Sequence, residues 1–204
     1  NQALVDPMNV AEKLELFHTL VDIGLKEIEV GFPSASETEF EFLRALIEGN
    51  HIPDDVTIQV LVQARAHLIK RTFEAISGAK NVILHFYNST STLQRKVVFR
   101  MEMDGIINIA VEAAQLIYKL SAPVIAAGTN LRYEYSPESF MGTEMDNAVT
   151  ICRRVMEELH ASPEKPVILN LPSTVENCMP NYFADEIEYF IGKLPNRESA
   201  IISL

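Results

Sequence analysis

In VILHFYNSTS, residues 82–91, an apolar run closes on an imidazole, a phenol and an amide: His85, Tyr87 and Asn88. Imidazole is suited to general acid–base work, to metal ligation or to holding a substrate oxygen. A second set lies in EYSPE, where Glu134, Ser136 and Glu138 recur at every other residue. In a strand that spacing turns all three to one face. If the face is internal, its carboxylates need partners or a ligand, because an unpaired buried charge is costly. If it is a solvated outer face, Tyr133 and Tyr135 take the alternate side; spacing leaves both readings open.

Other apolar runs end the same way, in Glu29, in Gln63, and in Asn170, Ser173 and Thr174. A hydrogen bond within a loop accounts for any one of these residues. Five successive runs ending in polar groups point to a shared polar pocket. The other histidines read as surface or capping residues: His18 and His67 in helical stretches, His51 in a turn, His160 near a helix end. No two histidines have metal-ligand spacing, so this stretch makes a poor metal site by itself.

The elements that must carry these groups alternate. Short runs rich in Val, Ile and Leu at 27–33, 56–63, 81–88, 130–138, 166–176 and 199–204 read as strands. Between them, Val10, Leu14, Phe17, Leu20 and Val21 share one helical face. Phe40, Leu43 and Ile47 share a second face, and Leu68, Phe73 and Ile76 a third. Helical patterns follow at 92–120, 144–159 and 182–191, and Gly78 reads as a helix end. Strand–helix alternation of this kind means a parallel sheet, either doubly wound or a (β/α)8 barrel. In both, ligands gather at the carboxyl ends of the strands, where the polar residues lie. No Gly-rich phosphate loop follows any strand.

The 204 residues are 48% hydrophobic, enough for one sizeable core, and the net charge of −11 disfavours a nucleic-acid partner. No uninterrupted apolar run approaches the roughly 20 residues of a membrane span, so no membrane partner is expected. Cys152 and Cys178 are too few for a disulfide framework. Cys152 reads as core and Cys178 as an ordinary thiol, consistent with a reducing, cytoplasmic setting. The chain opens NQALVDP and closes AIISL within an apolar run, and both ends read as cuts.

In this order, NQALVDPM, KEIEVGFPSAS, HFYNSTS, EYSPES and NLPSTVE resemble the long branch of the 2-isopropylmalate synthase family, among the DRE-TIM metallolyases. The resemblance covers the whole chain. It implies an α/β (β/α)8 TIM barrel, with residues 1–204 forming strands two to seven of a partial catalytic domain. The first and last strands, the linker and the regulatory domain would lie outside.

The implied reaction is an acyl transfer, a Claisen-type condensation of acetyl-CoA with 2-oxoisovalerate giving 2-isopropylmalate for leucine biosynthesis. Glu138 and His85 match catalytic positions. Gln2, Glu29, Leu61, Ser136, Pro172 and Thr174 match substrate-binding ones, and Tyr87 a supporting one. The implied metal, Mg, Mn or Zn, would be held by an Asp just before residue 1 and a His-x-His pair after residue 204. The isolated stretch is therefore expected to be inactive, and the complete enzyme to be a homodimer. Two alternatives stay open: a sister citramalate or homocitrate synthase, or a non-catalytic fragment or pseudo-enzyme.

Overall fold

The computed structural model describes residues 4–204. Six strands form one sheet: β1 (Glu27–Glu29), β2 (Thr57–Gln63), β3 (Asn81–Ser89), β4 (Asn130–Glu138), β5 (Val167–Asn170) and β6 (Ala200–Ser203). Their order in the sheet is their order in the chain. A doubly wound sheet reverses its strand order at a switch point, whereas a (β/α)8 barrel does not. The sheet is therefore the barrel type, and the chain supplies six of its strands. The helices are α1 (Val10–Ile23), α2 (Glu37–Glu48), α3 (Ala66–Ala75), α4 (Thr92–Gln94), α5 (Met103–Ala126), α6 (Met145–Glu158) and α7 (Pro180–Lys193).

The chain divides into two compact units. The first joins Asn1–Val62, Ala66–Leu84 and Leu120–Leu131, and the second joins Gln63–Arg65, His85–Lys119 and Arg132–Leu204. In the first unit α1 begins with a capping box, the Asn9 side chain accepting from the Ala11 and Glu12 amides while Glu12 accepts from the Asn9 amide. β1 and β2 pair in parallel, Glu29 opposite Gln59. Ile58, Val60 and Val62 are fully buried, and the alternate residues of β2, Leu61 among them, are half-buried. Lys13 and Glu39 form an ion pair at 2.5 Å, their side chains 9% and 16% exposed. Glu39 leaves its second oxygen, Oε2, buried without a hydrogen bond among the described residues. The unit is closed late in the chain, where Thr129 Oγ1 donates to Ala79 O at 2.7 Å and the Asn130 amide to Lys80 O at 2.8 Å.

In the second unit the core forms around Phe86 and Tyr135, whose ring centroids lie 5.0 Å apart, and around Phe140 against Phe183 and Phe190. Cys152 is fully buried within α6, as its helical position predicts. β4 pairs β5 and β5 pairs β6, both in parallel. Tyr135 is fully buried and Glu134 and Ser136 nearly so. This excludes the solvated-face reading of EYSPE, because a strand of a barrel is covered on both sides.

Some expectations change. The single helical pattern over 92–120 is interrupted: α4 is followed by a π-helical turn at Arg95–Phe99 and by Arg100 at φ 53°, before α5 begins. α5 then runs past Leu120 to Ala126. With 24 residues and a mean hydropathy of 1.3 over its most apolar window, it is long and apolar enough to cross a membrane by length and composition. The charges Asp104, Glu112 and Lys119 fall within it, and a helical stripe of Ile106, Ala110, Ala114 and Ile117 is fully buried in protein. β1 stops at Glu29, ahead of Gly31, whose φ of 104° turns the chain out of extended geometry. β5 stops at Asn170, leaving Pro172 and Thr174 in the following loop.

Candidate active site

Strand register sets the site. Glu134 faces Ile168 across β4 and β5, which places Ser136 opposite Asn170, and Asn170 in turn faces Ser203 of β6. These residues form a polar row on one face of the second unit. His85, at the end of the buried Val82–Leu84 run of β3, joins the row. Its Nε2 lies 2.6 Å from Ser136 Oγ and its Nδ1 lies 3.5 Å from Glu134 Oε1. Asn170 Nδ2 donates to Ser136 Oγ at 2.8 Å.

The direction of each hydrogen bond follows from this geometry. The carboxylate favours the imidazole proton on Nδ1, which leaves Nε2 as an acceptor. Ser136 accepts from Asn170 and has one proton to give, and it donates that proton to Nε2. The result is a buried relay running from Asn170 through Ser136 and His85 to Glu134.

Two residues along β4, Glu138 lies half-buried on the same face as Ser136. Its Oε2 accepts from the Ser89 hydroxyl, and its backbone oxygen accepts from the Thr90 amide at 3.1 Å and the Thr90 hydroxyl at 3.2 Å. The other carboxylate oxygen makes no hydrogen bond among the described residues. Tyr87 is half-buried, and burial, reinforced by Glu138 and opposed by Arg65, raises its phenol above the ordinary value. Tyr87 is thus a neutral hydroxyl near a carboxylate. Thr174 is exposed, its Oγ1 accepting from the Ser139 amide at 3.1 Å, and Pro172 is half-buried.

Of the predicted residues, the structure brings His85 and Ser136 into direct contact and sets Glu138 on the same strand face. Glu29 and Leu61 belong to the first unit, where Glu29 accepts from Gln59 Nε2 at 3.1 Å and Leu61 follows Gln59 on one face of β2. Gln2 lies outside the described residues. The resemblance assigns no role to Glu134, Asn170 or Ser89, although the first two stand among the polar residues that end the apolar runs. Glu134 carries a signal in its two-residue spacing from Ser136, whereas Ser89 stands out in no pattern and yet holds Glu138.

Among the described residues no group of three His, Cys, Asp or Glu side chains is arranged to hold a metal ion. Burial, with Glu186 nearby, raises the Cys178 thiol, the opposite of the shift that activates a nucleophilic cysteine. Taken together, the second unit offers a half-buried carboxylate for proton abstraction and two neutral donors, the Asn170 amide and the Tyr87 phenol, for a polar, oxygen-rich substrate.

A family model described as HMGL-like matches residues 1–204. Over all 204 residues the chain is 57% identical to the 2-isopropylmalate synthase of Pseudarthrobacter chlorophenolicus and 56% identical to those of Clostridium acetobutylicum and Rhodospirillum rubrum. It covers 35%, 37% and 36% of those proteins, so it spans about a third of their length. Among solved structures, the HMG-CoA lyase of Bacillus subtilis superposes with a TM-score of 0.61 at 13% identity, over 94% of this chain and 60% of that one. That likeness is one of fold.

Proposed function

Since this chain belongs to the HMGL-like family, we propose that it forms the central part of the catalytic barrel of a 2-isopropylmalate synthase. The observation that carries the reading is the 55–57% identity to enzymes of that name over all 204 residues. The reaction condenses acetyl-CoA with 2-oxoisovalerate. A base takes a proton from the acetyl methyl, and the resulting carbanion attacks the carbonyl carbon of the 2-oxo acid. The carbonyl oxygen takes a proton to become a tertiary hydroxyl. Water then cleaves the thioester, giving 2-isopropylmalate and free CoA.

Glu138 belongs to the base machinery, oriented by Ser89 and with one oxygen left for the incoming proton. His85, its Nδ1 turned to Glu134, fixes Ser136, which holds Asn170, and the second amide proton of Asn170 meets the substrate oxygens. Thr174 addresses the carboxylate of the 2-oxo acid, and Tyr87 supplies a neutral hydroxyl beside Glu138. Leu61 and Glu29, both in the first unit, match substrate-binding positions by resemblance alone. The family implies a divalent metal and the reaction implies acetyl-CoA as co-substrate. The described residues do not fit a metal centre, and the roles above are those of the chain's own side chains.

In the complete gene product, Glu138→Gln is expected to lower CoA release by about 100-fold or more, the scale of a lost general base. The KM for 2-oxoisovalerate should change little. An unchanged turnover number removes Glu138 from the mechanism. The isolated 204-residue chain is the control and is expected to release no CoA. A sister enzyme acting on pyruvate or 2-oxoglutarate is separated by measuring CoA release across the three 2-oxo acids. Leu61 favours the branched apolar one, although a methylene discriminates by only about 1–3 kcal/mol.

A further inference from the structure

The segment leaving the carboxyl end of β3, LQRKVVFRM at residues 93–101, plays no part in the polar row. It holds three cations and no acid, with the exposed Glu102 and Asp104 following it, in a chain whose net charge is −11. Leu93, Val97, Val98 and Met101 are exposed by 68%, 60%, 66% and 48%, an apolar patch that four neighbouring side chains leave in water.

One side of the segment is tied down. Thr90 binds the Glu138 carbonyl through both its amide and its hydroxyl, and Thr92 Oγ1 donates to Gly142 O at 3.3 Å. Gly142 runs so close that a Cβ there would meet Ser91 Cβ at 3.0 Å. Arg95 is committed to Glu144, with two hydrogen bonds of 2.7 and 2.8 Å. Lys96 and Arg100 are exposed and form no ion pair among the described residues. Arg100 has a left-handed backbone, φ 53° and ψ 43°, directly after a π-helical turn. Such a conformation is unfavourable for a residue with a Cβ, and π turns recur at functional sites.

We propose that this segment docks the phosphate-bearing end of the acyl-CoA, with Lys96 and Arg100 pairing to the 3′-phosphate and diphosphate. Leu93, Val97 and Val98 lie against the less polar arm. The inference rests on the acyl-CoA reading of the site. Charge complementarity selects this occupant: a polyanion approaching an acidic chain is drawn to a local surplus of cations. Arg and Lys beside exposed apolar side chains match a ligand that is part phosphate and part hydrocarbon. Thr90, three residues before the segment, is bonded to the Glu138 carbonyl, so the segment leaves β3 from beside the proposed base.

The test uses the complete gene product, wild type against Lys96→Glu/Arg100→Glu. CoA and 3′-dephospho-CoA are titrated calorimetrically without the 2-oxo acid, at low and high salt, and steady-state constants are measured alongside. Loss of two charge-assisted contacts is expected to weaken CoA binding and raise the acetyl-CoA KM by about tenfold or more. kcat at saturation and the 2-oxo acid KM should stay within about twofold, because such charges act on encounter and binding. The wild type should prefer CoA over its dephospho form, and the variant should lose both that preference and the salt dependence. Unchanged CoA affinity in the folded variant overturns the proposal. A changed oligomeric state with unchanged CoA affinity also overturns it, assigning the patch to a second copy of the chain. Charge-dependent CoA binding by a wild type that condenses no 2-oxo acid supports the docking surface and overturns the synthase reading instead.

Discussion

Two buried polar assemblies in this chain are built on opposite plans. In the first unit, Lys13 and Glu39 pair charge with charge at 2.5 Å, with Lys13 also over the Phe42 ring at 5.2 Å from its centroid. In the second, hydrogen bonds link Asn170 to Ser136 and Ser136 to His85, whose Nδ1 lies 3.5 Å from the Glu134 carboxylate. The ion pair is a dead end, since an ammonium has only donors and Glu39 keeps one oxygen without a hydrogen bond among the described residues. It borders a turn: a Cβ on Gly31 would sit 2.5 Å from that oxygen and push the Glu39 carboxylate aside, and the φ of 104° there already favours glycine. The relay has groups that can both give and take a proton. The first assembly is suited to holding shape and the second to meeting a substrate.

This contrast predicts different costs. Lys13→Met should destabilise the protein most, by about 3–5 kcal/mol, because it leaves a carboxylate buried and unpaired. Replacing both partners with apolar residues should recover most of that loss, as read from denaturant midpoints. If the double variant is as unstable as the single one, the pair does more than neutralise charge. Ser136→Ala should cost less, about 1–3 kcal/mol, since it strands one Asn170 donor and one imidazole nitrogen. It should nevertheless abolish most turnover in the complete gene product. A Ser136→Ala protein with full activity would remove the relay from the site.

The smallest effect concerns Arg95 and Glu144, which test charge without deep burial. The Arg95 guanidinium holds the Glu144 carboxyl down at about 2, against an ordinary value of 4.5. A depressed folded-state value stabilises the fold above the unfolded one. The contribution is therefore complete above about pH 4.5 and disappears as pH falls toward about 2. Glu144 is half exposed, so solvent screening keeps the effect small. Glu144→Gln should flatten this acid limb in a stability–pH profile. An unchanged limb would assign the acid sensitivity to other carboxylates.

Much of the scaffold was legible because its cause is local. Short runs such as VTIQVLVQ and NVILHFYN are strands, and the two-residue spacing of Glu134, Ser136 and Glu138 put them on one face. The contact between Ser136 and Asn170 was not legible, because it depends on the β4–β5 register, and pairing across 34 residues leaves no local mark. The break at Arg100 was hidden for the opposite reason. No Gly or Pro announces it, and 92–120 keeps its helical pattern through a stretch that is partly π-helical and partly left-handed. Pro123 likewise sits inside α5, where a proline usually ends a helix. The role of Ser89 was lost because a serine after an apolar run looks like loop chemistry, whereas β3 extends through it.

The return of Thr129 and Asn130 to Ala79 and Lys80 bears on how the protein is made. A ribosome delivers residues in order, and the first unit lacks a closing piece until the chain has grown some fifty residues beyond Ala79. Everything between, His85 through Lys119, belongs to the other unit and must be bypassed by a loop whose closure entropy rises with its length. Neither unit can be released intact by one cut, and neither is encoded by one uninterrupted stretch. The first can close once Leu131 has been made, whereas the second still awaits the residues after it.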